Sequence, residues 1–145
     1  MRAESWPSYV LAILAVVLIA VGLWSLGGIG AAQAERRDDL READLNQIAG
    51  ALRCVVEADD GVPLPTSLDA LGQDVADHCV SEIRVSDPIT GEPYAYERLG
   101  ETRFQVCAAF ERPDLMVAYD YGTDAFDPAT GCLEGTATQP ARDAG

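Results

Sequence analysis

The hydrophobic pattern opens with a long stretch that carries no charged side chain, residues 5–34. Its centre, residues 9–24, is almost wholly apolar, and a helix needs about 20 apolar residues to cross the hydrocarbon core of a bilayer. Because backbone groups in lipid must pair within their own segment, the pattern predicts a transmembrane helix in contact with membrane lipid over residues 9–32. Residues 1–8 form a short segment before it.

The same stretch also has the layout of a secretory signal peptide. Arg2 supplies a basic start, residues 10–24 an apolar core, and Ala32-Gln33-Ala34 a small-x-small cleavage site. Cleavage there would release a soluble protein that begins at Glu35. The sequence leaves both the uncleaved anchor and the cleaved leader open.

The charged part that follows has the period of an amphipathic helix over residues 34–58. Apolar side chains recur there at steps of three and four residues and form one helical face, comprising Leu45, Ile48, Leu52, Val55 and Val56. This stripe predicts a face buried in a core. Arg37 and Arg41 continue the line of the stripe towards the N-terminus, so we expect its beginning to be polar.

The second half of the chain predicts a short helix and an antiparallel sheet. Ser67 begins a helical run after a proline-rich loop. Residues 94–99 and 103–110 alternate and predict a hairpin, whose candidate packing positions are Tyr94, Tyr96, Phe104, Val106 and Ala108. Residues 115–119 could add a third strand. Residues 136–145 are small and polar and predict a disordered tail.

One turn sequence occurs twice. Asp87-Pro-Ile-Thr-Gly recurs as Asp127-Pro-Ala-Thr-Gly. Proline fixes its own φ and glycine accepts a positive φ, so both segments predict a tight turn of the same chemistry.

The four cysteines are dispersed, at Cys54, Cys79, Cys107 and Cys132. No close pair suggests a zinc site, and an even number in a small exported domain favours two disulfides. Of the three connectivities we favour Cys54–Cys79 and Cys107–Cys132, each of which would contribute roughly 3 kcal/mol by loop-closure entropy. Four reduced thiols remain the alternative.

Charge and orientation indicate an extracytoplasmic domain. The net charge is −14, which repels phosphates and makes a nucleic-acid partner unexpected. The arginines that follow the apolar stretch would favour a cytoplasmic domain, whereas paired cysteines require an oxidising compartment. Because the arginines are interleaved with Asp38, Asp39 and Glu42, the cysteines decide the orientation and predict a periplasmic domain.

Several segments together resemble type IV pilins and type II secretion major pseudopilins. They are the long helix, the stretch Gly61-Val-Pro-Leu-Pro-Thr-Ser-Leu, the segment Asp87-Pro-Ile-Thr-Gly-Glu-Pro-Tyr, and Arg103-Phe-Gln-Val-Cys-Ala. The resemblance covers residues 40–108 and implies a long helix packed on a small antiparallel sheet. No prepilin leader with a glycine cut site precedes Tyr9, so the expectation is a pilin-like domain over residues 33–135 on an ordinary anchor.

Candidate chemistry is sparse. His78 is the single histidine, and no spacing indicates a catalytic triad, a phosphate loop or a metalloprotease site, so we do not expect an enzyme. The resemblance to major pseudopilins, which hold calcium in C-terminal loops, makes one acidic cluster a weak calcium candidate. Its members are Asp114, Asp120, Asp124 and Asp127.

These observations predict an α+β fold with two disulfides behind a transmembrane helix. The predicted protein lies in a bacterial inner membrane, with its C-terminal domain in the periplasm. Its predicted role is structural: an accessory or subunit of an envelope assembly that contacts envelope proteins or further copies of itself. The alternatives are a secreted binding protein and, with least support, an envelope enzyme.

Overall fold

The chain is divided into two compact units, Met1–Ala34 and Glu35–Gly145. The computed structural model describes residues 6–25, 28–58, 63–74, 79 and 83–137. The first unit contains helix α1, Trp6–Ser25, and the start of helix α2, Gly28–Ala58. The rest of α2 and all other elements belong to the second unit.

Helix α1 is 20 residues long, and its apolar side chains are exposed. Among the described residues, no helix combines the length and hydropathy that crossing a membrane requires. The predicted transmembrane helix over residues 9–32 is therefore wrong. The fold class that included this helix and the predicted inner-membrane, single-pass location are wrong with it.

The part of the stretch that is almost wholly apolar is residues 9–24. The apolar residues 9–24 extend about 24 Å at about 1.5 Å per residue. A hydrocarbon core is about 30 Å thick.

Helix α2 has the buried face that its periodicity predicts. Leu45, Ile48 and Leu52 have no exposed surface, and Val55 and Val56 pack against the same core while partly exposed. The predicted core stripe is confirmed. Its burial against a sheet, rather than local helix preference, provides most of the stability of such a helix.

A short helix, α3, Leu68–Asp74, follows the proline-rich loop. The prediction of a helix after Ser67 is confirmed. Leu64, Leu68 and Leu71 are buried in the main core, so apolar side chains hold both the loop and the helix against the domain.

Within the described residues, the sheet has five antiparallel strands in the order β1-β2-β5-β4-β3. Their bounds are β1 Ala95–Arg98, β2 Arg103–Cys107, β3 Tyr119–Asp120, β4 Asp124–Asp127 and β5 Cys132–Thr136. The last strand lies between β2 and β4, which leaves β1 and β3 as the outer strands. The predicted α+β architecture with an antiparallel sheet is confirmed.

The predicted hairpin is formed by β1 and β2, with Tyr96 opposite Val106 and Arg98 opposite Phe104. Tyr94, Phe104 and Val106 are buried, and Tyr96 and Ala108 pack against the core while partly exposed. All five candidate packing positions therefore contribute to the core.

The predicted third strand over residues 115–119 is wrong for most of its length. A 3-10 turn, Pro113–Leu115, occupies its beginning, and only Tyr119 enters a strand. Pro113 fixes the local φ and favours this turn, while Leu115 and Val117 remain exposed.

The repeated turn sequence forms the same structure twice. The Gly91 N–H donates to the Asp87 carbonyl at 2.9 Å, and the Gly131 N–H donates to the Asp127 carbonyl at 2.9 Å. The glycines have φ of 75° and 70°, and each aspartate also accepts the backbone N–H two residues later. The prediction of one turn used twice is confirmed.

Both predicted disulfides are present, Cys54–Cys79 and Cys107–Cys132. The first joins α2 to the loop after α3. The second joins residues that lie opposite each other on β2 and β5. No cysteine is free, so the alternative of four reduced thiols is wrong.

The last described residues belong to the folded domain. Thr136 ends β5, and Ala137 has no exposed surface. The segment that was predicted to be disordered from residue 136 therefore begins with two ordered residues. Its remainder, 138–145, lies outside the described residues.

Candidate functional site

The four aspartates that were calcium candidates have separate partners. Arg112 donates to Asp114 at 2.8 Å, Gly122 donates its N–H to Asp120 at 3.0 Å, Arg53 pairs with Asp124, and Ala129 donates its N–H to Asp127 at 3.0 Å. Within the described part of the chain, no three histidine, cysteine or acidic side chains are grouped so that they could hold a metal ion. The structure therefore does not assemble the four as a site.

The remaining candidate for chemistry, His78, lies outside the described residues. The neighbouring Cys79 is bonded to Cys54 and has no thiolate for nucleophilic work.

The surface of the second unit has a groove of about 310 Å³, which we call the acid–tyrosine groove. It lies between the N-terminal half of α2 and the segment that leads into β3. Its lining residues are Glu35, Asp38, Asp39, Glu42, Arg112, Leu115, Met116, Val117, Ala118, Tyr119 and Tyr121.

One wall of the groove is acidic. Glu35, Asp39 and Glu42 follow each other at steps of four and three on α2, so their side chains share one helical face. None of the three forms an ion pair with a described residue, whereas Arg112 is held by Asp114 at 2.8 Å. Burial, together with repulsion from Asp39, raises the pKa of Glu42. Asp39 and Glu42 therefore carry negative charge without an ion-pair partner among the described residues, whereas Glu35 interacts electrostatically with Arg112.

The opposite wall is apolar and aromatic. Leu115 is 50% exposed, and Val117 and Tyr121 are each 78% exposed. Tyr119 is partly buried. Its ring stacks on that of Tyr121 with centroids 5.1 Å apart, and its hydroxyl donates to Asn46 of α2 at 3.1 Å. Exposed apolar side chains that are grouped, as these are, mark interaction sites more often than scattered ones do.

Asp38 fixes the acidic wall to the segment that leads to the apolar wall. Its two carboxylate oxygens accept the backbone N–H groups of Glu111 at 3.0 Å and Arg112 at 2.6 Å. Such charge-assisted hydrogen bonds are about twice as strong as neutral ones. The side chain is buried, so the entry to the 3-10 turn is held firmly against α2.

Arg41 lies at the junction between α2 and the segment before the 3-10 turn, and it is only 3% exposed. Its guanidinium donates to Asp87 at 2.5 Å, to Asp38 at 2.7 Å and to Glu111 at 3.1 Å. Burial lowers the pKa of Arg41, but these hydrogen bonds outweigh it, and the net shift is upward. One cation thus joins α2, the Asp87 turn and the segment before the 3-10 turn.

Acid should weaken this junction. The hydrogen bond from Arg37 lowers the pKa of Glu111 to about 2. Burial raises the pKa of Asp87, yet the hydrogen bonds from Arg41 and two backbone N–H groups lower it further than burial raises it. Both pKa values lie below those of the unfolded chain. The stability that the two ionised carboxylates contribute is therefore complete above about pH 4.5 and is lost as the pH falls towards 2. We expect the free energy of unfolding to decrease over this window.

Denaturant unfolding between pH 7 and pH 2 measures the effect. The Glu111→Gln variant should show a shallower decrease, because it lacks one of the two titrating partners and keeps its backbone N–H to Asp38. Glu101→Gln, an exposed substitution outside the junction, should follow the original profile. Identical slopes for all three proteins would contradict the assignment.

Sequence reasoning identified the line of Arg37 and Arg41 but not its partners. The usable signal was that Arg41 lies four residues before Leu45 on the buried stripe, since a cation at a core position requires carboxylates. The sequence does not show which carboxylates pair with Arg41, because Asp87 and Glu111 are distant from it in the chain.

Comparison with protein-family models, characterised proteins and solved structures found no match for the chain. The features of the domain that bear on its function are therefore the acid–tyrosine groove and the residues that hold it.

Proposed function

We propose that residues 35–137 form a protein-interaction domain that docks onto a partner through the acid–tyrosine groove. The single observation that carries this proposal is the pairing of two chemistries in one groove. Val117 and Tyr121 are each 78% exposed, and they lie opposite carboxylates that have no ion-pair partner among the described residues. Exposed aromatic and apolar groups beside charge are typical of protein interfaces.

The rigidity of the groove supports binding. Interaction sites gain affinity when their side chains are ordered before the partner arrives. The carboxylate of Asp38 and the guanidinium of Arg41 order one end of the groove, and the hydroxyl of Tyr119 is bonded to α2 at the other.

The domain works, on this proposal, in an oxidising compartment, because its two disulfides need one to form and persist. Removal of residues 1–34 as a leader fits this setting. Ala32-Gln33-Ala34 has the small-x-small pattern of a cleavage site, and the chain divides into compact units after Ala34.

A role as accessory or subunit of an envelope assembly is the most specific form of the proposal. It is supported by the resemblance of residues 40–108 to pilins and major pseudopilins. It is also supported by the packing of the α2 stripe with Phe104, Val106 and Leu133 of the sheet in one core, the arrangement that the resemblance implies.

Site-specific photo-crosslinking in the native host tests the docking surface. A benzophenone amino acid at Val117 or Tyr121 should give one discrete crosslinked product that mass spectrometry identifies. The same group at Ile89 or Leu99, exposed positions outside the groove, should not. Absence of a product from both groove positions, or the same product from the control positions, would overturn the docking surface.

The intact mass of the protein purified from its host tests the leader. A chain that begins at Glu35 is expected, and one that retains residues 1–34 would contradict their removal.

A further inference from the structure

We infer that the occupant of the acid–tyrosine groove is an extended, arginine-containing segment of another protein chain. This inference rests on the proposed function and adds the chemistry of the partner. Three features of the groove carry it: the charge of one wall, the stacked tyrosines of the other, and the outer position of β3.

The acidic wall selects a cationic partner. Glu35, Asp39 and Glu42 face the groove without an ion-pair partner among the described residues. Arg112 pairs with Asp114 and also interacts electrostatically with Glu35, which leaves Asp39 and Glu42 as the carboxylates that a cation would meet. Burial beside Asp39 disfavours the charged form of Glu42, so a cation in the groove would relieve the repulsion between the two. A partner with an acidic or neutral surface would gain nothing from this wall.

The spacing of the carboxylates suits an extended chain. Residues four apart on a helix rise about 6 Å along its axis, which is the separation along α2 between Glu35 and Asp39. Alternate residues of an extended chain lie about 7 Å apart on one side. Two arginines in alternate positions can therefore each reach a carboxylate, while the residues between them turn towards Leu115 and Val117.

The tyrosine pair favours arginine over lysine. The rings of Tyr119 and Tyr121 stack with an interplanar angle of 23°, and Tyr121 is 78% exposed. A planar guanidinium stacks on an aromatic face and also pairs with a carboxylate through two N–H groups, whereas an ammonium does neither as well.

The sheet edge favours an extended occupant over a helical one. β3 is an outer strand, paired with β4 on one side and with no described strand on the other. The backbone groups on its free side can accept an added strand, a recurring mode of peptide recognition. Tyr119, which belongs to β3, also lines the groove.

Fluorescence anisotropy with labelled seven-residue peptides tests the inference on the protein purified from its host. The probe alternates arginine and valine. Two control peptides have glutamate or lysine in place of arginine. A third control is a helical peptide of the same net charge as the probe. The arginine peptide should bind at least about tenfold more tightly than the glutamate peptide, and more tightly than the lysine and helical peptides.

Matched variants separate the groove from the general acidity of the chain. Asp39→Asn/Glu42→Gln should weaken binding of the arginine peptide at least about tenfold. Glu92→Gln/Glu101→Gln, which removes the same charge at exposed positions outside the groove, should leave it within about twofold. Tyr121→Leu should remove the preference for arginine over lysine.

Each contrary result has a definite meaning. The inference would be overturned if both double variants weakened binding of the arginine peptide equally, or if the helical peptide bound more tightly than the arginine peptide. Self-association in sedimentation that Asp39→Asn/Glu42→Gln abolishes would also overturn it, because the occupant would then be a second copy of this chain. If these results accompany position-specific crosslinks from Val117, the inference fails and the proposed docking surface stands.

Discussion

Replacement of Arg41 by alanine is expected to lower the free energy of unfolding by about 3–5 kcal/mol, the usual cost of removing one partner of a buried ion pair. The substitution leaves Asp38 and Asp87 buried without their cation, and both side chains are almost inaccessible to water. Denaturant unfolding at pH 7, followed by circular dichroism, measures the loss.

Two further variants identify the cause. Arg36→Ala removes the same charge from an exposed position of α2 and should change the free energy by no more than about 0.5 kcal/mol. Arg41→Lys keeps the charge but lacks the planar fork, so its loss should fall between the other two. An Arg41→Ala loss no larger than that of Arg36→Ala would show that the cation contributes nothing at this position.

Replacement of Phe104 by alanine should be similarly destabilising, by about 3–5 kcal/mol. The ring has no exposed surface and belongs to the single core that joins α2 to the sheet. Tyr121→Ala, which removes an aromatic ring that is 78% exposed, is the matched control and should cost about 0.5 kcal/mol or less. Equal losses, measured by the same unfolding experiment, would contradict the assigned core.

The ring of Phe104 depends on Gly135, which lies opposite it on β5. A methyl group at Gly135 would overlap the ring atom Cζ and approach Cε2 to 2.8 Å. Gly135→Ala should therefore cost about 1–3 kcal/mol, as overpacking does. In a Phe104→Ala background the same substitution should cost much less, and a double-mutant cycle measures this coupling. Additive losses would mean that the two positions do not share space.

The sequence predicted the elements whose signals are local. The stripe of Leu45, Ile48 and Leu52 is visible because a helix repeats every 3.6 residues. The two Asp-Pro turns are visible because proline and glycine restrict the backbone in known ways. The disulfides followed from the even number and dispersion of the cysteines.

The sequence did not predict the features that depend on residues far apart in the chain. β5 lies between β2 and β4, and its sequence is interrupted by Gly135, a residue that weakens a strand signal but is required beneath Phe104. The acid–tyrosine groove was missed for the same reason, since Glu42 and Tyr119 are brought together only by the fold.

Two predictions that rested on hydropathy are wrong. Residues 9–32 were predicted as one membrane-spanning helix, but no helix among the described residues is long and apolar enough to cross a membrane. Residues 115–119 were predicted as a strand because four of the five are apolar. Pro113 instead begins a 3-10 turn, and Leu115 and Val117 remain exposed beside the groove.

The order of the two disulfides along the chain affects how the protein can be made. Each joins cysteines 25 positions apart, and the second loop begins after the first has closed. A chain that is delivered N-terminus first can therefore oxidise Cys54 and Cys79 before Cys107 emerges, without a competing thiol. Oxidation in this order gives the native pairing without rearrangement of mispaired cysteines.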